Sequence, residues 1–323
     1  MDISILLVLQ DFRNGVGAFL ADFLAKMTFL GELNSVIVIM AAIYWGISKD
    51  FGAYLFMGWS GNRLVNGLLK VTACAYRPWI RDARIIPFGN SMTTATGYSF
   101  PSGHTMNGAT IFGGIVVRKD ILRSLRITSG IILVLIAFSR NYLGVHTPQD
   151  TLVGILAGTV VMALTVRLMQ WIEAHPGKDI LVAGIGIAIA IAVAVYAALK
   201  PYPTDYDAEG KLLVDGAKMA NDTFKGVGYC SAFLVGWVLE RRYIGFSTDI
   251  PMIRRVSRII TGLLGYYAVS LIVVPAIKDL LTGPAGSVAS CFVQVLYVSF
   301  LFPLCMKYLE KDHFAEGKPE AAN

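Results

Sequence analysis

Residues 180–199, from Ile180 to Leu199, form an unbroken run with no charged side chain. A helix of that length crosses the roughly 30 Å hydrocarbon core of a bilayer. No water reaches the backbone there, so the chain must pair its amides and carbonyls along its own helix. Similar apolar segments recur on both sides of this run. Only 15% of the residues are charged and 55% are hydrophobic, against roughly a quarter charged in soluble domains. The chain therefore reads as all-α, a polytopic membrane helix bundle.

Taken in order, residues 1–31 are amphipathic, with apolar stretches broken by Asp11, Arg13, Asp22 and Lys26. That pattern suits an interfacial segment better than a span. Asp2, Asp11, Asp22 and the lack of a basic start argue against a cleavable signal peptide. Nine spans are expected, near residues 33–48, 51–70, 101–118, 127–143, 148–171, 180–199, 224–240, 259–277 and 285–306. The second is unusual. Asn62, Arg63, Asn66 and Lys70 recur at three- and four-residue steps and share one helical face. Charge inside a span is costly and is generally turned toward a cavity or a partner. A structural pairing with a carboxylate elsewhere is the alternative, and the weaker of the two.

The net charge of +6 does not point to nucleic acid, because the basic residues sit in short loops between spans. Such loops mark the cytoplasmic side. Arg118, Lys119, Arg123, Arg126, Arg241, Arg242, Arg254, Arg255 and Arg258 share one side with the C-terminus. The connections 71–100 and 139–150 then meet at the opposite, external face. Cys74, Cys230, Cys291 and Cys305 show no metal-ligand spacing and read as small packing residues.

Three polar clusters fall on that external face. Lys70 is followed, after six residues, by Arg77-Pro78. Pro101-Ser102-Gly103-His104 opens the third span. Ser139-Arg140 is followed after five residues by His146, and after three more by Asp150. An arginine holds a phosphate through two parallel hydrogen bonds. A neutral imidazole can attack phosphorus, and a carboxylate can hold it in the attacking tautomer. For the last cluster alone, helix capping explains the residues equally well. Arg140 would end one helix, while Thr147, Pro148 and Asp150 fit the N-cap, first turn and N3 of the next. Together, however, the clusters gather three cations and two of the chain's four histidines; His175 and His313 fall on the other side. Phosphoryl transfer needs positive charge around three equatorial oxygens, with attacking and leaving atoms in line. The amides of Ser102 and Gly103 lie where a helix N-terminus binds an anion. No carboxylate cluster accompanies them, so neither a metal nor a cofactor is expected.

At every specified position the clusters resemble the motifs of the type 2 phosphatidic acid phosphatase superfamily. These are lysine-x6-arginine-proline, proline-serine-glycine-histidine and serine-arginine-x5-histidine-x3-aspartate. The motifs cover residues 70–150, and the likeness in span arrangement extends to roughly residue 172. The layout also resembles bacterial lipid phosphatases, glucose-6-phosphatase and sphingosine-phosphate phosphatase. This resemblance implies metal-independent hydrolysis of a phosphate monoester or diphosphate through a phosphohistidine. It implies that Lys70, Arg77, Ser102, Gly103 and Arg140 bind the phosphoryl oxygens. His146 would attack phosphorus while Asp150 orients its ring, and His104 would protonate the leaving alkoxide and later activate water. Asn66 matches a polar position often seen one turn before the family's lysine. Arg63 departs from the small or apolar residue usual there; it either extends the anion site toward a second phosphate or pairs structurally.

The expected organisation is an interfacial segment at 1–31, a catalytic transmembrane core at 32–199 and an external polar loop at 200–222. Additional transmembrane helices at 223–308 and a cytoplasmic tail at 309–323 complete it. A site at the bilayer edge favours a membrane lipid phosphate as partner, with no nucleic acid and with a homodimer as the assembly considered. A soluble sugar phosphate, transfer to an acceptor alcohol, or an anion or lipid transporter are the alternatives. The expected location is a bacterial cytoplasmic (inner) membrane, with the endoplasmic reticulum membrane as alternative.

Overall fold

The structure, a computed structural model, describes residues 2–310. The described residues contain no strand, only an isolated bridge between Tyr206 and Leu212. Two N-terminal helices, α1 (Asp2–Val16) and α2 (Ala18–Gly31), meet at a 120° bend. Then follow α3 (Leu33–Ile47), α4 (Lys49–Ala73) and the single turn α5 (Pro78–Arg81). Helix α6 covers 103–117 and includes a π-helical stretch at Ala109–Gly113. Beyond it lie α7 (Arg123–Tyr142), α8 (Pro148–Ala174), α9 (Asp179–Leu199) and α10 (Gly216–Tyr243). The bundle ends with α11 (Met252–Leu280) and α12 (Gly283–Leu309). Residues 311–323, most of the expected tail, lie outside the described residues.

A helix stands at each of the nine expected positions, but the count of nine spans is not reached. Among the described residues five helices (α7, α8, α9, α11 and α12) are long and apolar enough to cross a membrane, or six if the bent α1–α2 pair is one span. Physical reasons are visible in the others. Helix α3 is apolar but short. Helix α4 buries Asn62 and Asn66 against α6 and α8 instead of presenting an apolar surface all round. Helix α10 starts at Gly216, earlier than hydropathy suggested, because Asp215 caps it by accepting from the amides of Ala217 and Lys218.

The core joins the two halves of the chain. Helix α10 packs along α4, α9 and α12. Phe56 of α4 stacks on Phe233 of α10 at 5.5 Å, and Trp59 meets Tyr229 at 5.2 Å. Within a bilayer the lipid tails are as apolar as these rings, so the seam is held by close packing and ring–ring geometry rather than by exclusion of water. At Gly228 the seam to α12 is so close that a Cβ would run into the Val288 carbonyl.

The two ends of the bundle differ in chemistry. At one end, ion pairs tie helix termini: Lys49 to Glu240 at 2.7 Å, Arg242 to Asp179 at 2.9 Å and Arg258 to Glu310 at 2.6 Å. At the other end, the last turns of α4 and α7 meet the first turns of α6 and α8. There α1 and α2 lie against α7. Arg13 is buried and donates to the carbonyls of Tyr142 (2.9 Å) and Ile86 (2.7 Å). The opposite side of α1 exposes Ile5, Val8 and Phe12.

Glu240 is fully buried, and among the described residues Lys49 is the one cation paired with it. Lys49→Met should destabilise the protein by about 3–5 kcal/mol by leaving that carboxylate unpaired. Thermal unfolding in detergent should show the loss, and Lys49→Met/Glu240→Gln should recover most of it.

Candidate active site

Each functional side chain is positioned by a helix end. Helix α4 terminates at Cys74, whose left-handed backbone (φ 46°) turns the chain out of the helix. That turn lets Lys70, in the last turn, face the following connection, where its Nζ donates to the carbonyls of Tyr98 (2.9 Å) and Pro101 (3.1 Å). Ser102 caps α6, its Oγ accepting from the Thr105 amide at 3.4 Å, and places Gly103 and His104 in the first turn. Thr147 and Asp150 form a capping box on α8, with Pro148 at its start.

The turn between α7 and α8 is held by its own backbone. The amides of Val145 and His146 both donate to the Arg140 carbonyl, at 3.1 and 3.2 Å, and Asn141 Nδ2 donates to the His146 carbonyl at 2.9 Å. Gly144 adopts φ 75°, which permits the reversal. The Ser102 amide donates to the Asp150 carbonyl at 3.0 Å, stitching the start of α6 to the start of α8.

The structure brings Arg77, His146 and Asp150 into direct contact. Arg77 is buried and bonds the carbonyls of Thr96, Gly97 and Val145, while its Nη1 lies 2.8 Å from His146 Nε2. A guanidinium only donates, so Nε2 accepts and the ring proton resides on Nδ1. Nδ1 in turn faces Asp150 Oδ2 at 3.3 Å. The imidazole is thus held with a lone pair on Nε2. Burial first, and the Arg77 charge second, keep the His146 pKa well below the usual histidine range. Burial and the neighbouring Arg140 also lower the Arg77 pKa to about 9, which leaves it cationic at neutral pH.

Arg140 and His104 complete the cluster differently. Arg140 is 1% exposed, and its Nε and Nη2 have no hydrogen-bond partner among the described residues. His104 Nε2 is buried and also unpartnered, within electrostatic range of Arg140, His146, Arg77 and Lys70. Asn66 braces the chain before α6, donating to the Pro101 carbonyl (3.4 Å) and Met106 sulfur (3.2 Å). Arg63, two turns earlier than Lys70 on α4, has a buried Nε with no partner among the described residues. A cavity of about 750 Å3 lies at the opposite end, lined by Asp50, Arg118, Arg167 and Glu173. It contains none of the motif residues.

Two contributors are absent from the sequence reading. Ser99 donates to Asp150 Oδ2 at 2.5 Å and lies 3.4 Å from His146 Nδ1, so it braces carboxylate and ring together. Its only signal is its place just before the Pro101–His104 motif. Gly31, at the end of α2, packs on the His104 backbone so closely that a Cβ would stand 2.6 Å from the His104 carbonyl oxygen. Asn107 Nδ2 donates to the Gly31 carbonyl at 3.0 Å, and the N-terminal segment thereby touches the helix that carries His104.

With this geometry established, comparison with known proteins is decisive for the family. The family described as PAP2 superfamily matches residues 51–174, and that described as PAP2 superfamily phosphatase, transmembrane extension, matches residues 224–312. The chain belongs to the PAP2 superfamily. It is accordingly a phosphatase of the phosphoric monoester hydrolase class and a multi-pass membrane protein. It is 29% identical over 158 aligned positions to phosphatidylglycerophosphatase B of Bacillus subtilis, covering 45% of this chain and 73% of that protein. It is 36% identical over 73 positions to undecaprenyl-diphosphatase of Sulfolobus acidocaldarius, covering 23% of this chain and 34% of that protein. No solved structure matches.

Ser99→Ala removes one donor to Asp150 and one neighbour of His146. It should lower kcat about tenfold with little change in KM, as expected for the loss of one hydrogen bond to a charged group. Steady-state phosphate release is the measurement.

Proposed function

We propose that this phosphatase hydrolyses a phosphate monoester or diphosphate on a membrane lipid, without a metal, through a phosphohistidine on His146. The observation that carries the reading is the tautomer: Nε2 accepts from Arg77 while Nδ1 faces Asp150. The names of the two relatives, a phosphatidylglycerophosphatase and an undecaprenyl-diphosphatase, support a lipid as the substrate class.

In this reading a phosphoryl group takes the place beside Nε2, and Arg77 turns its N–H groups to the phosphoryl oxygens. The unpartnered N–H groups of Arg140 supply two further donors, with Lys70, Ser102 and Gly103 completing the cradle. The Nε2 lone pair forms the nitrogen–phosphorus bond as the phosphorus–oxygen bond to the alcohol breaks. His104 gives its proton to the departing alkoxide. Water then attacks phosphorus, passes a proton to His104, and the nitrogen–phosphorus bond breaks to release phosphate. The imidazolium character that His146 gains on attack is stabilised by Asp150. Each oriented donor in such a cradle is worth about 2.7–4 kcal/mol in the transition state.

The basic loops at 118–126 and 241–258 stand at the end opposite the motifs. By the positive-inside rule this supports an external active site, in a bacterial cytoplasmic membrane.

A panel of phosphatidate, phosphatidylglycerophosphate, undecaprenyl diphosphate and glucose 6-phosphate, assayed for phosphate release, tests the substrate class. Turnover confined to the sugar phosphate would sink the lipid reading. His146→Ala should abolish turnover and lose the base-stable, acid-labile phosphoryl adduct trapped in the wild type by rapid alkaline quench. Retained phosphate release in that variant would remove His146 from the nucleophile role.

The pH dependence has a definite sign. Because the His146 pKa is depressed, the neutral imidazole persists on acidification below the ordinary histidine range near 6.5. The acid limb of kcat/KM assigned to the nucleophile should therefore lie well below pH 6.5. A limb at or above 6.5 that is abolished by changing the Arg77 charge would contradict the assignment.

A further inference from the structure

Arg63 stands on α4 seven residues before Lys70, roughly 10 Å deeper in the helix. Among the described residues it forms no hydrogen bond or ion pair, and its Nε is buried without a partner. A buried N–H without a partner is costly, and a charged group within a span is generally turned toward a cavity, a partner or a pathway. The ion-pair alternative is not realised. The carboxylate that α10 brings to this region, Asp222, is held by Lys225 at 2.7 Å.

The surroundings of Arg63 belong to both halves of the chain. The backbone of 63–67 meets α10 closely: a Cβ at Gly226 would stand 3.6 Å from the Arg63 carbonyl oxygen, and one at Gly67 would stand 3.2 Å from Thr223 Cγ2. Tyr229 of α10 and Cys291 of α12 lie within electrostatic range of Arg63, and Lys225 reaches Cys291 as well. Lys70 is within the same range. Arg63 itself is only partly buried. It therefore forms a step between the cations at the end of α4 and the seam with α10.

We propose that Arg63 is a second anion subsite, taking a phosphodiester that the lipid substrate carries between its terminal phosphate and its acyl chains. This rests on the lipid phosphatase reading above. A lipid whose terminal phosphate lies among Lys70, Arg77 and Arg140 extends its chain-bearing part deeper along α4. Two helical turns of separation fit charged groups joined by several bonds. They do not fit a diphosphate, whose adjacent phosphorus atoms would both lie at the Lys70 level.

The test compares two lipids in mixed micelles with the full-length protein: phosphatidate, with one phosphate, and phosphatidylglycerophosphate, with a phosphodiester below the terminal phosphate. Arg63→Gln should lower kcat/KM for the second relative to the first by about tenfold, mainly through KM, as for one lost charge-assisted hydrogen bond. Arg63→Lys should recover part of the ratio. Without lipid, Arg63→Gln should unfold at a temperature no lower than the wild type, because no structural pair is broken. An equal loss on both lipids, an unchanged ratio, or a lower unfolding temperature overturns the proposal. If a bystander lipid fills the place instead, phosphatidylglycerol will raise kcat/KM on phosphatidate, and that outcome also overturns it. Should the wild type release phosphate from neither lipid, the phosphatase reading fails by itself. The subsite is then judged in His146→Ala, where phosphatidylglycerophosphate should raise the unfolding temperature more than phosphatidate does, and a second change, Arg63→Gln, should erase the difference.

Discussion

Asp150 is the point on which the geometry of the site depends. Its Oδ2 accepts from the Thr147 amide at 2.8 Å and from Ser99 Oγ at 2.5 Å, and faces His146 Nδ1 at 3.3 Å. Its carbonyl accepts from the Ser102 amide. One buried residue thus fixes the start of α8, the tautomer of a histidine and the entry into α6. Such a network is strong only when every member is satisfied, because the low local dielectric that strengthens each bond also penalises each gap. Capping and orientation of the ring are therefore not rival explanations of Asp150. The same oxygen serves both.

Much of the site was legible because its spacing is local. Arg140, His146 and Asp150 fall within one helix end, one turn and one helix start, so the sequence interval alone brings them near each other. Thr147, Pro148 and Asp150 read as a helix start and form one. Arg13 was not legible as a tertiary contact. In sequence it merely interrupts an apolar stretch, whereas in the fold it reaches carbonyls 129 and 73 residues away. Ser99 and Gly31 belong to no pattern that periodicity can detect. Hydropathy located the helices but overstated how many are apolar throughout, since a helix facing a polar interior, such as α4, balances Asn62 and Asn66 against its hydrophobic side.

The opposite end of the molecule is organised on other terms. There, side-chain carboxylates meet lysine and arginine, and the three pairs join helix termini far apart in the chain. At the motif end the cations mostly meet backbone carbonyls: Lys70 binds two, Arg77 three and Arg13 two. Carbonyl partners satisfy N–H groups without cancelling charge. Positive potential is thereby kept around the motif residues, where the proposed anion is held.

The aromatic seam between α4 and α10 has a consequence for how far the matched segments are separable. Phe56 and Trp59 have their ring partners, Phe233 and Tyr229, in the segment matched by the transmembrane extension. The extension is therefore not an appendage beside a finished unit. Residues 51–174 taken alone would need another apolar surface for those rings, whether lipid or a neighbouring protein. In this chain the extension supplies that surface within the same polypeptide.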